Sequence, residues 1–320
     1  MKFFKRKAVK IPLIILCVIL ILLGGAYGYV RYTLGKITTV NLNKTPEELE
    51  VHPYQPSTST TISTAEPTQP VKAPNIKNIA LIGVDKANPD GSQRSDSVMV
   101  ASIDMDHKKI KLTSFMRDSY IEEPGRGYSR MGHTYQDGGP VLTIQAINKN
   151  FELDVTDYVK VDFDGLISIV DSIGGVQITI KDYEVTPMSA VGINKAGKYN
   201  LNGKQALAYS RIRHYGDADY ERTERQRDVI EQIFKKLTSQ GTASMASTMT
   251  KLLPYVETSL TSSQIMDLGY QVVSEGIKTV EQSRVPYDDS VKTEYIKGVY
   301  YLTFDKDSTI QKLHKFIYED

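Results

Sequence analysis

The segment Asn78-Ile-Ala-Leu-Ile-Gly-Val-Asp85 is a continuous apolar run that ends in glycine and aspartate. Such a run predicts a strand buried on both faces, whose carboxyl end emerges at a functional site. Two further strands are predicted at 97–104 and 109–115, and the short polar connection between them indicates a hairpin. Together these strands predict the centre of a sheet.

Helical and strand patterns alternate along the rest of the chain. This alternation favours an α/β fold, a layered α-β-α domain with a central mixed sheet. No internal repeat and no second linker interrupts it, so we expect one domain over residues 76–320. The sequence predicts helices over 140–151, 164–173, 220–237, 262–275 and 308–318, and strands at 158–163 and 176–180.

The N-terminal region has the pattern of a membrane anchor. Residues 11–30 form an uncharged apolar run, long enough for a helix to cross a bilayer's hydrocarbon core. Five basic residues precede this run, so the positive-inside rule predicts a cytoplasmic tail at 1–10 and an extracellular remainder. A cleaved signal peptide is the alternative, although its apolar run is usually shorter. Gly24 and Gly28 would permit weak homodimerisation through the transmembrane helix, or are simply small residues near its end.

A stalk is predicted after the anchor, at residues 31–75. Between 53 and 74 proline, serine and threonine dominate without an apolar period. Such a segment cannot bury enough surface to offset the entropy of ordering it. We therefore expect a flexible spacer that holds the domain away from the membrane.

Composition and missing motifs exclude several classes of protein. The net charge is +1, but residues 1–32 contain six basic residues and no acidic one, which leaves −5 on the other 288. An acidic body lacks the charge of a nucleic-acid binder. The single cysteine excludes an internal disulfide and a Cys-based zinc cluster. The motifs of zinc proteases, common serine hydrolases and P-loop ATPases are absent.

Arginine is concentrated in one segment. Five of the 12 arginines lie within residues 211–227, with no lysine among them. The arginine fork grips phosphate oxygens in two places, whereas lysine offers a point charge. Acidic residues balance this segment, so a solvated, salt-bridged surface helix stays open as the alternative interpretation, and composition alone favours it. The residues expected to share a side are Asp219, Arg222, Arg225 and Gln226 on a helix, and Arg211 and Arg213 if extended.

A second set of charged residues lies at the ends of the first three predicted strands. Asp85 ends the first strand, and Arg94 and Asp96 open the second. Two carboxylates on adjacent loops can share Mg²⁺ with substrate phosphates, although loop aspartates are more often turn formers. Arg117 and Asp118 end the third strand and bring another cation and another acid to the same rim.

These segments make the chain similar to the LytR-CpsA-Psr family of membrane-anchored envelope proteins, over residues 77–237. Two positions depart from the family's pattern: Met116 stands where many members carry proline, and Arg130-Met-Gly-His133 stands where Lys-Ile/Leu-Asn-His is commoner. The matching segments include Gly83-Val-Asp85, Arg94-Ser-Asp96-Ser, Ser114-Phe-Met-Arg117-Asp118, Gly138-Gly-Pro140, Val161-Asp-Phe163, Arg211-Ile-Arg213-His214 and Asp219-Tyr-Glu-Arg222-Thr-Glu-Arg225-Gln226.

The resemblance implies a phosphotransferase that moves a glycopolymer, of the teichoic-acid or capsule type, from undecaprenyl pyrophosphate to peptidoglycan as a phosphodiester. It also implies an apolar lipid-binding core, contact with membrane lipid and no nucleic-acid partner. The implied site has Mg²⁺ (or Mn²⁺) at Asp85 and Asp96, catalytic residues Arg94, Arg117, Asp118, Arg211, Arg213, Asp219 and Arg222, and phosphate contacts from Arg117, Arg211, Arg213, Arg222, Arg225 and Gln226.

Two other functions stay open on the sequence. One is a non-catalytic envelope regulator or transcription attenuator that senses lipid-linked sugars. Against direct control of DNA, the predicted cytoplasmic part of about ten residues is too small to read base edges. The other is an isoprenoid pyrophosphate phosphatase, which would use the same arginines and metal with water as the acceptor.

Overall fold

The computed structural model describes residues 38–54, 75–85, 92–213, 218–240 and 242–319. Its strands are β1 (Thr38–Thr39), β2 (Ile76–Val84), β3 (Ser95–Asp104), β4 (Lys109–Phe115), β5 (Tyr120–Glu123), β6 (Gly127–Arg130), β7 (Asp157–Val161), β8 (Val176–Ile180), β9 (Gly197–Leu201), β10 (Glu257–Thr258), β11 (Thr279–Val285), β12 (Val291–Ile296) and β13 (Val299–Phe304). Its α-helices are α1 (Thr134–Phe151), α2 (Phe163–Ser172), α3 (Val185–Met188), α4 (Gly203–Ser210), α5 (Ala218–Thr238), α6 (Thr242–Leu252), α7 (Ser262–Ser274) and α8 (Lys306–His314), which a π-helical turn at Lys315–Glu319 extends.

A mixed sheet forms the centre of the fold, which confirms the predicted α/β class. Within the described ranges it has seven strands in the order β1-β10-β7-β2-β3-β4-β11. The predicted hairpin of β3 and β4 is antiparallel, β2 pairs antiparallel with β3, and β7 and β11 join in parallel. Three two-stranded sheets lie outside it, β5–β6, β8–β9 and β12–β13. The predicted strand at 176–180 is therefore confirmed as a strand, but in the part of the chain that the structure describes it pairs with β9 and not with the central sheet.

Strand β2 is buried on both faces, as its apolar run predicts. Ala80 and Ile82 join a core cluster with α1 and the C-terminal helix. Ile79 joins a second cluster, on the other face of the sheet, together with residues of α5 and α7. Because successive side chains of a strand point to opposite faces, a continuous apolar run lets one strand serve both clusters.

Helix α1 confirms the predicted helix over 140–151. It begins at Thr134, but Gly138 and Gly139 have non-helical backbone angles, with φ +64° at Gly139, so the helical segment after this kink starts at Pro140. The predicted strand at 158–163 ends at Val161, because Asp162 caps α2 by accepting a hydrogen bond from the Gly165 amide at 2.7 Å. The predicted α5 and α7 are present within two residues of their expected ends.

The stalk prediction is wrong for residues 38–54, which pack against the domain. Strand β1 pairs in parallel with β10 at the edge of the central sheet. Leu49 is buried in the core cluster around α1, and its carbonyl accepts a hydrogen bond from Asn148 at 2.8 Å. The ring of Tyr54 stacks on Tyr318 with centroids 4.1 Å apart. The folded unit therefore begins before residue 76.

The predicted tail and anchor at 1–30, and most of the Pro/Ser/Thr-rich segment, lie outside the described residues. Among the helices that the structure does describe, none has the length and apolar character needed to cross a membrane.

Candidate active site

A cavity of about 450 Å³ lies between the central sheet and helices α2, α4 and α5. Its walls are mostly apolar, because the inward faces of three strands and three helices meet there. A cavity of this volume and polarity is typical of a small-molecule site. The apolar walls are formed by Leu81, Met99, Val159, Val161, Phe163, Leu166, Leu207, Val229, Ile230, Ile233 and Leu237.

The same cavity is lined by a polar group that the sequence predicted. Asp96 enters from the start of β3, Arg211 and Arg213 follow the end of α4, and Arg222 and Gln226 lie one helical turn apart on α5. One cavity thus combines a long apolar wall with three guanidinium groups. That combination suits an amphipathic anion better than a purely polar ligand.

Arg222 is the buried cation of this group. Only 3% of its side chain is exposed, and its Nη1 lies 3.1 Å from Asp219 Oδ1. Its Nε and Nη1 nevertheless make no hydrogen bond with any described residue. Burial lowers the pKa of this guanidinium, and Arg213 and Arg117 lower it further, while Asp219 acts in the opposite direction. A buried, under-satisfied cation is costly unless an anion joins it.

Arg117 is held by carboxylates on two sides. Its Nη1 donates to Asp96 Oδ1 at 2.6 Å, and its Nε donates to Asp118 Oδ2 at 3.4 Å. Burial acts to lower the pKa of Arg117, but Asp118, Asp96 and Asp219 together raise it. The guanidinium therefore stays charged and is oriented beside the cavity residue Asp96.

Asp219 and Phe163 orient the remaining two arginines. Asp219 Oδ1 lies 3.5 Å from Arg213 Nε, so one carboxylate contacts both Arg213 and Arg222. Arg211 is exposed, and its guanidinium lies over the Phe163 ring, 4.6 Å from the centroid. Such cation–π contact holds the side chain without using its hydrogen-bond donors. The predicted role of Asp219 as an orienting acid is consistent with this geometry.

Arg225 does not join the cavity, contrary to the prediction that it contacts phosphate. Only 2% of its side chain is exposed, its Nε donates to Glu184 Oε1 at 2.6 Å, and its Nη2 pairs with Glu221. Its Nη1 donates to the Ile212 carbonyl at 3.2 Å. With its donors used by this chain, Arg225 ties α5 to the segment around Glu184 instead of serving a ligand.

Arg94 lies at the rim and not among the residues that line the cavity. It is exposed, and its Nε donates to Gln136 Oε1 at 3.0 Å. Its amide donates to Asp85 Oδ1 at 2.8 Å, and its carbonyl accepts from the Asp85 amide at 3.1 Å. Asp85 and Arg94 therefore close the end of the β2–β3 pair.

The two predicted metal ligands lie at one end of adjacent strands. Gly83 pairs with Ser97 and Val84 with Ser95, so Asp96 is the extra residue of a β-bulge, while Asp85 follows Val84, one residue beyond the last pair. One oxygen of Asp85 accepts the Arg94 amide and one oxygen of Asp96 accepts Arg117. The described residues contain no group of three or more acidic, histidine or cysteine side chains able to hold a metal. Two carboxylates fit Mg²⁺ only in the mode that adds substrate phosphates and water.

Sequence reasoning missed three residues of the segment 130–133, where strand β6 ends and a 3₁₀-helical turn leads into α1. Arg130 Nε lies 3.4 Å from Asp118 Oδ1. Gly132 packs on Arg117, since a Cβ there would meet Arg117 Cβ at 3.0 Å, and its amide donates to the Arg117 carbonyl at 2.8 Å. Burial lowers the pKa of His133, and Arg130 lowers it further. The departure from the family's pattern at 130–133 was the signal that could have found them.

Comparisons with known proteins show similarity in sequence and in fold. The family model described as "LytR_cpsA_psr family" matches residues 36–316. Regulatory protein MsrR of Staphylococcus aureus (strain COL) is 32% identical over 258 residues, 78% of this chain and 77% of that protein. The polyisoprenyl-teichoic acid–peptidoglycan teichoic acid transferase TagU of Bacillus mycoides (strain KBAB4) is 30% identical over 274 residues, 84% of each chain. The structure of YwtF (TagT) with bound octaprenyl pyrophosphate lipid superposes with a TM-score of 0.59 at 22% identity, covering 76% of this chain and 90% of that one.

Proposed function

The chain belongs to the LytR_cpsA_psr family, and on this basis we propose that it transfers a glycopolymer from its polyprenyl-pyrophosphate carrier to peptidoglycan as a phosphodiester. The names of two similar proteins support this reaction, a teichoic acid transferase and a protein with octaprenyl pyrophosphate bound. Membership of the family supports a specific reaction, whereas the cavity by itself supports only the binding of an amphipathic anion. The geometry supports roles for this chain's own residues.

The observation that carries the proposal is Arg222 at an apolar cavity. A buried guanidinium with donors that make no hydrogen bond faces a cavity whose walls are mostly apolar. A prenyl chain would fill the apolar part, and its pyrophosphate would satisfy Arg222, with Arg211 and Arg213 beside it. An apolar ligand alone would leave these donors without a hydrogen bond, and a polar ligand alone would leave the apolar walls exposed to water.

The reaction balances without an external energy source. An acceptor hydroxyl oxygen bonds to the phosphorus that carries the polymer, the bridging P–O bond breaks, and polyprenyl monophosphate leaves. Arg117, Arg213 and Arg222 stabilise the charge that grows on the phosphate oxygens. The hydroxyl proton passes to one of the carboxylates beside these arginines.

Asp85 and Asp96 are the residues that would hold Mg²⁺ or Mn²⁺. When bound, such an ion neutralises charge on the pyrophosphate and makes its leaving group more stable. Asp96 would then serve the metal through one oxygen while the other keeps Arg117 oriented, which links the metal and the arginine cluster through one side chain.

Residues 11–30 would anchor the enzyme in the membrane that contains its lipid substrate, with the catalytic domain outside the cell. Weak self-association through the Gly24/Gly28 pair belongs to the same proposal. Protease added to intact protoplasts should release the domain by cutting within 55–74. A domain that stays protected until the cells are lysed would contradict this topology.

Product analysis separates the proposed reaction from its two rivals. Purified full-length chain is incubated with lipid-linked glycopolymer, with and without peptidoglycan. The transferase predicts polyprenyl monophosphate and peptidoglycan-bound polymer in equal amounts. Polymer phosphate released equally without acceptor would identify a phosphatase. No turnover with intact lipid binding would instead favour a sensor, which the name of MsrR, "Regulatory protein", keeps as the second candidate.

A further inference from the structure

Three tyrosines from two hairpins form an aromatic surface, here called the tyrosine cluster. Tyr120 of β5 stacks on Tyr128 of β6 with ring centroids 5.0 Å apart. Tyr301 of β13 packs edge-on against Tyr120 at 4.8 Å. Tyr128 remains 62% exposed, so the cluster presents an aromatic face to solvent rather than filling a core.

Arg130 connects the tyrosine cluster to the candidate active site. Its guanidinium lies 5.4 Å from the centroid of the Tyr301 ring, and its Nη2 donates to the Tyr300 carbonyl at 2.7 Å. Its Nε lies 3.4 Å from Asp118 Oδ1, while the other oxygen of Asp118 accepts Arg117. Two side chains thus separate the tyrosine cluster from Arg117.

The backbone joins the two regions as well. The Leu302 amide donates to the Asp118 carbonyl at 2.9 Å, and Ser119 forms a parallel bridge with Leu302. Leu302 is buried, and its neighbour Tyr301 belongs to the tyrosine cluster. The cluster is therefore fixed in position relative to Arg117, as a substrate-positioning surface must be.

A transfer between two large substrates needs a place for each of them. The apolar cavity suits the prenyl chain, and the arginines suit the pyrophosphate, but neither suits a sugar ring. A pyranose carries C–H bonds on one face and hydroxyls around its edge. An exposed aromatic ring matches the apolar face, and the phenol hydroxyls reach the polar edge. The rings carry no charge, which favours a neutral saccharide over a polyanionic polymer.

We propose that the tyrosine cluster binds the acceptor, a glycan strand of peptidoglycan, and so delivers its hydroxyl to the phosphate held beside Arg117. This inference rests on the proposed function and adds the acceptor subsite to it. Tyr128 is the outer stacking ring, and Arg130 keeps the subsite aligned with Asp118.

The test measures binding of the full-length chain, in detergent, to purified peptidoglycan sacculi by sedimentation. Tyr128→Ala should weaken binding about three- to tenfold, the worth of one aromatic stacking contact. Tyr128→Phe keeps the ring and should bind nearly as the wild type does. Tyr295→Ala is the matched control, because Tyr295 is 72% exposed on the neighbouring strand β12 and its ring contact is with Tyr300.

Kinetics provide a second readout. Tyr128→Ala should raise the KM for peptidoglycan by a similar factor and leave the KM for the lipid-linked donor unchanged. Equal weakening by Tyr128→Ala and Tyr295→Ala, absence of sacculus binding by the wild type, or selective loss of binding to the free glycopolymer would each overturn the acceptor assignment. If sacculus binding follows the prediction but no transfer occurs, the proposed reaction fails while the glycan site stands.

Discussion

Replacing Arg222 with lysine keeps a positive charge at the cavity and removes the planar fork. The Nε and Nη1 donors of Arg222 make no hydrogen bond with any described residue, although Nη1 lies 3.1 Å from Asp219 Oδ1, so the bound pyrophosphate is what they would contact. Hydrogen bonds to a charged group contribute about 1.5–3 kcal/mol. Losing that contribution in the transition state should lower kcat/KM for the donor about ten- to hundredfold. The assay is initial-rate transfer from lipid-linked glycopolymer to peptidoglycan.

Arg225→Lys is the matched control, three residues further along the same helix. Arg222 and Arg225 are almost equally buried, but the donors of Arg225 are used by Glu184, Glu221 and the Ile212 carbonyl. Its substitution should therefore lower the melting temperature, because buried carboxylates lose contacts. Arg222→Lys should leave the melting temperature closer to that of the wild type. The two variants thus separate a ligand contact from a structural one.

A solvated ion-pair helix would give a different result. In that case Arg222→Lys would change neither rate nor stability, since exposed ion pairs contribute little. Equal kcat/KM in Arg222→Lys and the wild type would refute the reasoning. A rate loss in Arg225→Lys as large as that in Arg222→Lys, once both proteins are shown to be folded, would refute it equally.

Three further predictions address the metal, the cavity and the response to pH. Asp85→Ala and Asp96→Ala should each reduce Mg²⁺-dependent transfer about tenfold or more with little change in melting temperature; unchanged turnover in both would remove the metal assignment. Leu166→Trp should narrow the cavity and weaken binding of a long prenyl donor about tenfold, but a short prenyl donor less, as isothermal titration with both would reveal. Burial, together with Arg130, lowers the pKa of His133 in the folded chain below its ordinary 6.5. As the pH falls, the unfolded chain is therefore protonated at this histidine before the folded chain is. The free energy of unfolding should then decrease as the pH drops below about 6.5. Urea denaturation of the wild type and His133→Gln at pH 5 and 7 checks this, and an identical pH dependence of the two proteins would count against it.

Local pattern predicted much of the fold, because the centre of the sheet is built from residues close in sequence. The apolar run at 78–85 and the hairpin at 97–115 need only their own side-chain periodicity to be recognised. The docking of residues 38–54 could not be read this way. Leu49 is buried by residues of α1 about a hundred positions away, and nothing near Leu49 in the sequence marks that contact.

In the candidate site, too, some features could be predicted from local sequence and others depend on tertiary contacts. The clustering of arginines within 211–227 predicted that α5 and the segment before it belong to the site, because an excess of arginine over lysine is visible in the sequence itself. Which arginine faces the cavity depends on how the helix is rotated about its axis and on partners distant in sequence. Arg225 forms an ion pair with Glu184, which lies on another segment, whereas Arg222 lines the cavity. Arg130 was missed since its partners, Asp118 and the Tyr300 carbonyl, meet it only through tertiary structure.

The central claim is that this cavity holds a prenyl chain while its arginines hold the attached pyrophosphate. Native mass spectrometry of the detergent-solubilised chain, titrated with polyprenyl pyrophosphate or with the matching polyprenol, tests it most directly. We predict one polyprenyl pyrophosphate per chain, much weaker binding of polyprenol, and loss of this preference in Arg222→Met. Equal binding of the two lipids by the wild type, or a preference unchanged in Arg222→Met, would contradict the assignment of the cavity.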